Sequence, residues 1–343
     1  MIKKLYLIIT FCMLTAGGAM AQSVDIHFNA LGFLDNHEYK EFVDRSHTYS
    51  GTRTALDFGL KLDSVNSFIV GVNALHEFGA RTFFGKVDPV AYYQYKSSNW
   101  QFNAGMFPRE GLISDYPRAL LNDTLRYYRP NVEGLLAQYH DKHFKETFWL
   151  DWVSRQTATD REQFLFGASG KYYPKVDGSF YISHYFLLLH DAGAAVLLPN
   201  DHINDNGGAQ VRLGLDLTRK QRLFDSLTVE AGGMFSLERS RGIDGFQTPK
   251  GVVASAYLSY RRFALYDEFY KGEGSHIDYG DSYYSFRTYN RIDVIYTPFL
   301  FKNIKGQFIF SFHQTTQSTG SNQQAFRITY DLGRKTIARF KGE

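Results

Sequence analysis

The sequence predicts an all-β chain, a single transmembrane antiparallel up-and-down β-barrel of about sixteen strands (roughly fourteen to sixteen) behind a cleaved leader. Three observations carry that reading: apolar and polar residues alternate with a period of two, the alternating runs are about ten residues long, and short and long connections take turns along the chain. A tilted strand needs about nine to eleven residues to cross a bilayer, whereas soluble strands average about five or six. Length and loop asymmetry therefore weigh against the competing reading, a soluble sandwich with one dry face.

The leader comes first. Lys3 and Lys4 precede the apolar run Leu5–Leu14, and Ala19-Met20-Ala21 is a small-x-small cleavage site ahead of Gln22. This divides the chain into residues 1–21, a signal peptide, and residues 22–343, the barrel. The one cysteine, Cys12, lies inside the leader, so the remainder is expected to hold no disulfide, thiolate metal site or cysteine nucleophile.

Strands are expected near 24–35, 52–62, 67–79, 87–96, 100–107, 132–141, 146–155, 162–173, 179–190, 208–218, 226–238, 251–260, 263–271, 284–297, 305–314 and 323–332. In the second, Leu56, Phe58, Leu60 and Leu62 alternate with Asp57, Gly59 and Lys61. In the tenth, Val211, Leu213, Leu215 and Leu217 alternate with Arg212, Gly214 and Asp216. Short turns at 63–66, 97–99, 142–145, 174–178 and 261–262 face the periplasm. The longer gaps at 37–51, 108–130, 191–207, 239–250 and 272–282 fall on the outer side. The basic tail from Gly333 has no assigned place, and Phe340 is followed by Lys341-Gly342-Glu343 where many barrels end on an aromatic residue.

Composition agrees. Aromatic residues make up 17% of the chain, with 24 Tyr and 30 Phe to furnish the girdles at both interfaces. Proline, at 8, is scarce enough for many unbroken strands. The mean hydropathy of −0.32 excludes a helical membrane protein but not a barrel, in which only alternate residues meet lipid. A net charge of +3 gives no reason to expect a nucleic-acid partner.

If apolar side chains face lipid, then Arg53, Asp57, Lys61, Arg212, Asp216, Glu230, Arg291, Asp293, Arg327 and Asp331 face inward, because each charge on the lipid face would cost about 2–4 kcal/mol near the midplane. Opposite charges recur two or four positions apart on one strand, as in Arg53/Asp57/Lys61 and Arg291/Asp293. Two readings stay open: a wet pore whose wall carries both signs, or a lumen stapled shut by salt bridges.

The longest outer loop, 108–130, carries Arg109, Glu110, Asp115, Arg118, Asp123, Arg126 and Arg129. Here the chain resembles the sixteen-stranded general porins, whose third outer loop folds inward and narrows the barrel. By that resemblance Asp115 and Asp123 face wall arginines, and Arg118, Arg126 and Arg129 lend anion preference or touch a sugar. Without it, the Leu120, Leu121 and Leu125 stretch makes a short helix on the rim. The phrase from Gly105 to Leu136 also looks like a segment of uncharacterised barrels of Bacteroidota. Tyr92, Tyr93, Tyr95, Tyr283, Tyr284 and Tyr289 are candidates for a sugar slide, with the girdle as the plainer assignment.

Barrel enzymes leave their own marks. Outer-membrane phospholipases and lipid A deacylases carry a His-x-Ser pair on one strand, and none of the eleven histidines is followed by serine two positions on. Omptin-like proteases need paired aspartates, and no Asp-Asp occurs. His202 with Asp205, or His276 with Asp278, has no specific metal spacing. The expectation is thus a passive outer-membrane porin for small hydrophilic solutes, saccharides among them: not an enzyme, without cofactor or metal, surrounded by lipid and lipopolysaccharide, with a homotrimer as a candidate assembly. The alternatives are a non-conducting barrel that binds or helps assemble surface polysaccharide, an outer-membrane lipid hydrolase, and a fourteen-stranded fatty-acid transporter that would need an N-terminal hatch.

Overall fold

A computed structural model describes residues 22–40, 46–196, 201–317 and 320–340; the expected leader at 1–21 lies outside them. The strands are β1 (Ser23–Glu38), β2 (His47–Lys61), β3 (Asn66–Glu77), β4 (Lys86–Lys96), β5 (Trp100–Pro108), β6 (Asn131–His140), β7 (Phe144–Ser154), β8 (Glu162–Tyr172), β9 (Phe180–Gly193), β10 (Asn204–Asp216), β11 (Ser226–Ser240), β12 (Lys250–Tyr260), β13 (Phe263–Gly272), β14 (Thr288–Leu300), β15 (Ile304–Thr315), β16 (Ser321–Asp331) and β17 (Lys335–Arg339). Each pairs antiparallel with its sequence neighbour through β16, and β16 returns to β1 to close the barrel.

Sixteen strands therefore encircle the lumen, each overlapping its expected place. β17 is the continuation of the last one. It pairs with the start of β1, Ser23 opposite Arg339 and Ile26 opposite Lys335, in the same direction as β16. Gly333 turns the chain between them at φ 66°, a left-handed conformation that costs glycine little. The basic tail thus completes the seam, and Arg334 reaches Asp57 at 2.5 Å.

The faces follow the pleat. On β2, Arg53, Ala55 and Asp57 are buried while Phe58 is exposed; on β10, Arg212 is buried while Val211, Leu213 and Leu215 are exposed. This inversion, apolar outward and charged inward, suits a chain whose solvent is lipid.

The fourteenth strand begins later than its alternation suggests. Ser282–Ser285 forms a 3-10 turn, and Tyr284, where the expected strand starts, packs inside the barrel together with Tyr283. Burial of bulky rings in an inward loop overrode a local pattern. The apolar core lies within the lumen, built from Ile113, Tyr116, Leu120, Leu121 and Leu125 of the 109–130 loop against Phe107, Leu136, Trp149, Leu165 and Leu187 of the wall.

Candidate functional site

The loop after β5 turns into the barrel and is fastened on several sides. Trp149 Nε1 donates to Tyr116 Oη at 2.9 Å, and that hydroxyl donates to the Phe186 carbonyl at 3.1 Å. Arg109 meets Asp151 at 2.5 Å, beside the Trp149 ring. A single helical turn, α1 (Leu125–Tyr128), presents Tyr127 to β1, where its ring stacks on Phe33 at 4.2 Å and its hydroxyl donates to Asp35 at 2.9 Å. The leucine stretch does make a short helix, but inside the barrel. A second inward loop, between β13 and β14, meets the first: the Asn122 amide donates to the Tyr279 carbonyl, and the Asp281 amide to that of Arg118, each at 2.8 Å.

Charge holds the two loops to the wall. Arg118 bridges Asp123 at 3.2 Å and Asp293 at 3.1 Å, Asp123 also faces Arg327 at 3.6 Å and Arg126 at 4.0 Å, and Asp281 faces Arg291 at 3.5 Å. Burial alone would raise the Asp123 pKa, but Arg118, Arg126 and Arg327 outweigh it and hold the carboxyl well below the usual range. Burial wins at Asp281, whose carboxyl is raised with Asp123 adding to the effect.

Of the two loop carboxylates expected to face wall arginines, Asp123 does, through Arg327. Asp115 does not: it lies near Lys145 at 3.6 Å, both half exposed. Glu110 is exposed toward a lumen cavity, and Arg129 donates to the Val153 carbonyl at 3.3 Å.

The ten wall residues lie at lumen-facing positions, but their pairing differs from the sequence spacing. Only Arg291 and Asp293 pair along one strand, at 2.7 Å. The others reach across: Arg53 to Asp88 at 3.1 Å, Lys61 to Asp25 at 2.9 Å, Arg212 to Glu230 at 3.3 Å and Glu268 at 2.9 Å, Arg327 to Asp35 at 3.3 Å. His27 joins Asp57 and Asp331, each at 3.0 Å. Asp216 accepts from the Thr218 amide at the turn. Same-face neighbours on one strand are about 6.6 Å apart, whereas cross-strand partners are about 5 Å apart. Sequence reasoning missed Asp35, Asp88, Asp151 and Glu268, whose partners belong to distant strands or to the inward loop.

The tyrosines divide. Tyr92 packs on Phe107 inside, Tyr93 meets Phe68 on the lipid side, and Tyr283, Tyr284 and Tyr289 are wholly buried in the second loop's cluster.

The lipid-facing side carries a different constellation. Trp152, Phe164, His190, Asp205 and Arg239 are consecutive cross-strand partners on β7 to β11. They lie near the outer ends of those strands, in one row. Their neighbours Asp151, Leu165, Leu189 and Asn206 point into the lumen, which sets the row outward. His190 Nδ1 lies 2.7 Å from Asp205 Oδ1. Arg239 Nη2 donates to Asp205 Oδ2 at 2.7 Å, and Arg241 Nε donates to the same oxygen at 3.0 Å. The Phe164 ring sits 5.0 Å from the imidazole and 5.4 Å from Trp152. A charged His–Asp–Arg group against a bilayer is costly unless it meets polar headgroups.

His202 instead bonds the Arg241 carbonyl at 3.0 Å, so it is not the partner of Asp205. No three His, Cys, Asp or Glu side chains converge as metal ligands among the described residues.

Solved structures share the fold. The loop-deletion mutant OmpTΔL8 of the Vibrio cholerae outer-membrane protein OmpT aligns with a TM-score of 0.57 at 10% identity, covering 90% of this chain and 100% of that one. OccD3 of Pseudomonas aeruginosa aligns at 0.54 and 10%, covering 94% of each chain. An anion-selective porin from Comamonas acidovorans aligns at 0.54 and 11%, covering 90% of this chain and 99% of that one. These likenesses show the fold, a closed antiparallel β-barrel like those of outer-membrane proteins. No curated protein matches.

A family model described as lipid A 3'-O-deacylase-type matches residues 17–337. That match overturns the expectation of a barrel that is not an enzyme. His190 and Asp205, 15 residues apart in sequence, are brought together by the pairing of β9 with β10. Spanning nearly the whole barrel, the match shows that the chain belongs to the lipid A 3'-O-deacylase-type family.

Proposed function

We propose that this barrel is an outer-membrane acyl-ester hydrolase acting on lipid A from the lipid-facing outer rim, with His190 as general base and Asp205 as its orienting partner. The observation that carries the reading is the His190–Asp205 pair, 2.7 Å apart, on the outward face near the ends of β9 and β10. The family match supplies the reaction class.

The chemistry follows from the pair. Asp205 accepts from the Nδ1–H of His190, which fixes the tautomer and leaves Nε2 basic. Nε2 takes a proton from water as the water oxygen bonds the ester carbonyl carbon. The imidazolium, stabilised by Asp205, returns that proton to the sugar oxygen as the acyl C–O bond breaks. The products are a free fatty acid and a hydroxyl. Trp152, Phe164 and Phe166 offer an apolar surface for the acyl chain, and Arg239 and Arg241 place positive charge beside the phosphorylated headgroup.

Mass spectrometry of lipid A incubated with the purified barrel tests this. Loss of one acyl chain by the native protein and not by His190→Ala supports it; an unchanged lipid with both proteins sinks it.

A second reading rests on the shared porin fold: a diffusion channel for small hydrophilic solutes, saccharides among them, with the 109–130 loop as its constriction. That loop packs on Trp149, Leu165 and Leu187 of the wall, which supports its role as the narrowing element in this reading. Conductance steps in planar bilayers would support the channel. A solved neighbour is a trimer form of Vibrio cholerae OmpT; a homotrimer of this chain is a proposal that analytical ultracentrifugation in detergent decides.

A further inference from the structure

Near the periplasmic end of the barrel, a second ionisable pair faces lipid. Glu146, Gly170 and His184 are consecutive cross-strand partners on β7, β8 and β9. Their chain neighbours turn inward: Lys145 reaches Asp115 of the inward loop, and Tyr185 packs against the lumen core. The pleat therefore sets the three outward, on the same face as exposed Phe148. They lie close to Phe144, Tyr172 and Phe180, where these strands meet their short periplasmic turns. On its other side Glu146 opposes Tyr139, whose ring sits 4.9 Å from that of Trp100. Such a Trp–Tyr pair belongs at headgroup level. Ionisable side chains are tolerated there and penalised toward the midplane.

The pair is built across an intervening strand. His184 Nε2 lies 3.2 Å from Glu146 Oε1, and the contact passes over Gly170. A Cβ at Gly170 would collide with both side chains, so the bare backbone is what lets them meet. The contact engages one polar atom of each residue. Among the described residues no hydrogen bond reaches Glu146 Oε2 or His184 Nδ1. Both atoms open at the surface rather than lying sealed beneath it, and the His184 side chain is 41% exposed. The carboxylate thus keeps an acceptor. The imidazole, held as a cation by Glu146, keeps an N–H donor.

We propose that Glu146 and His184 bind the headgroup of a phospholipid of the periplasmic leaflet, one that joins a phosphate to a primary ammonium. Glu146 Oε2 accepts from the ammonium, and His184 Nδ1–H donates to a phosphate oxygen. An ethanolamine headgroup carries these two charges at the ends of a short linker, matching one acceptor and one donor set side by side. A glycerol headgroup offers the carboxylate no cation, and a quaternary ammonium has no N–H to donate. The site lies toward the opposite end of β9 from His190 and stands whether or not that row hydrolyses lipid.

Native mass spectrometry of the full barrel released from detergent micelles tests the proposal. Phosphatidylethanolamine, phosphatidylglycerol and phosphatidylcholine with identical acyl chains are added at equal concentration. The native chain should retain phosphatidylethanolamine roughly fivefold or more over either other lipid. Glu146→Gln and His184→Gln should each abolish that preference, and Gly170→Ala, which drives the pair apart, should match them. Lys302→Gln, an exposed cation in the turn between β14 and β15, should leave it intact. Equal retention of the three lipids by the native chain overturns the proposal. So does a full preference kept by Glu146→Gln or His184→Gln, or one lost in Lys302→Gln.

Discussion

His190 and Asp205 face each other across the β9–β10 ladder, joined at 2.7 Å on the lipid side of the wall. If Asp205 orients the base, Asp205→Asn presents the wrong tautomer. Turnover of lipid A should fall by about 10²–10⁴, with the Michaelis constant nearly unchanged. Equal losses in kcat and in substrate affinity would instead mark Asp205 as a headgroup contact.

Trp149 and Tyr116 make the best-defined seam between wall and loop. Tyr116→Phe strands the buried indole N–H and should lower stability by about 1–3 kcal/mol. Urea-induced unfolding followed by tryptophan fluorescence would register this as an earlier midpoint.

Gly167 tests the same seam from the other side. A Cβ there would come within 2.0 Å of the Trp149 ring, so Gly167→Ala must displace the indole from its pocket. The expected cost is about 1–3 kcal/mol, accompanied by faster proteolysis of the 109–130 segment.

Acid should loosen the inward loop only at extremes. Asp123 has a folded pKa depressed by its arginines, so its contribution is fully present above its unfolded value, about 3.9, and is lost as pH falls through the lowered folded value. The loop should therefore resist protease unchanged from pH 8 to pH 5. Asp123→Asn should make it susceptible even at neutral pH, by leaving Arg118 and Arg327 short of a counter-charge. Susceptibility of the native loop at pH 5 would contradict the assignment.

The strands were legible because lipid imposes a strict rule: Val211, Leu213 and Leu215 must alternate with residues that turn inward. The inward placement of the ten wall charges follows from the same rule. Their partners did not follow, because register between strands and the path of a loop through the lumen leave no local periodicity. Asp35 meets Arg327 across 292 residues of chain and Tyr127 across 92, and Asp115 meets a lysine where an arginine was expected. The His190–Asp205 pair was hidden for the same reason. His202 stood nearer to Asp205 in sequence and drew attention to the wrong histidine.

The seam has a consequence for how the molecule is made. β1 must find β16 and β17, elements separated from it by almost the whole chain, so its second edge stays unpaired until the last strand arrives. Closing so long a loop carries the largest entropic cost of any pairing in the barrel. Neighbouring hairpins can zip as they emerge, but closure waits for the C-terminal strand. Until then the amides of Ser23 to Ile26 are an open template for another chain. The run that looked like a leftover basic tail is, in kinetic terms, the latch that ends the protein's most aggregation-prone moment.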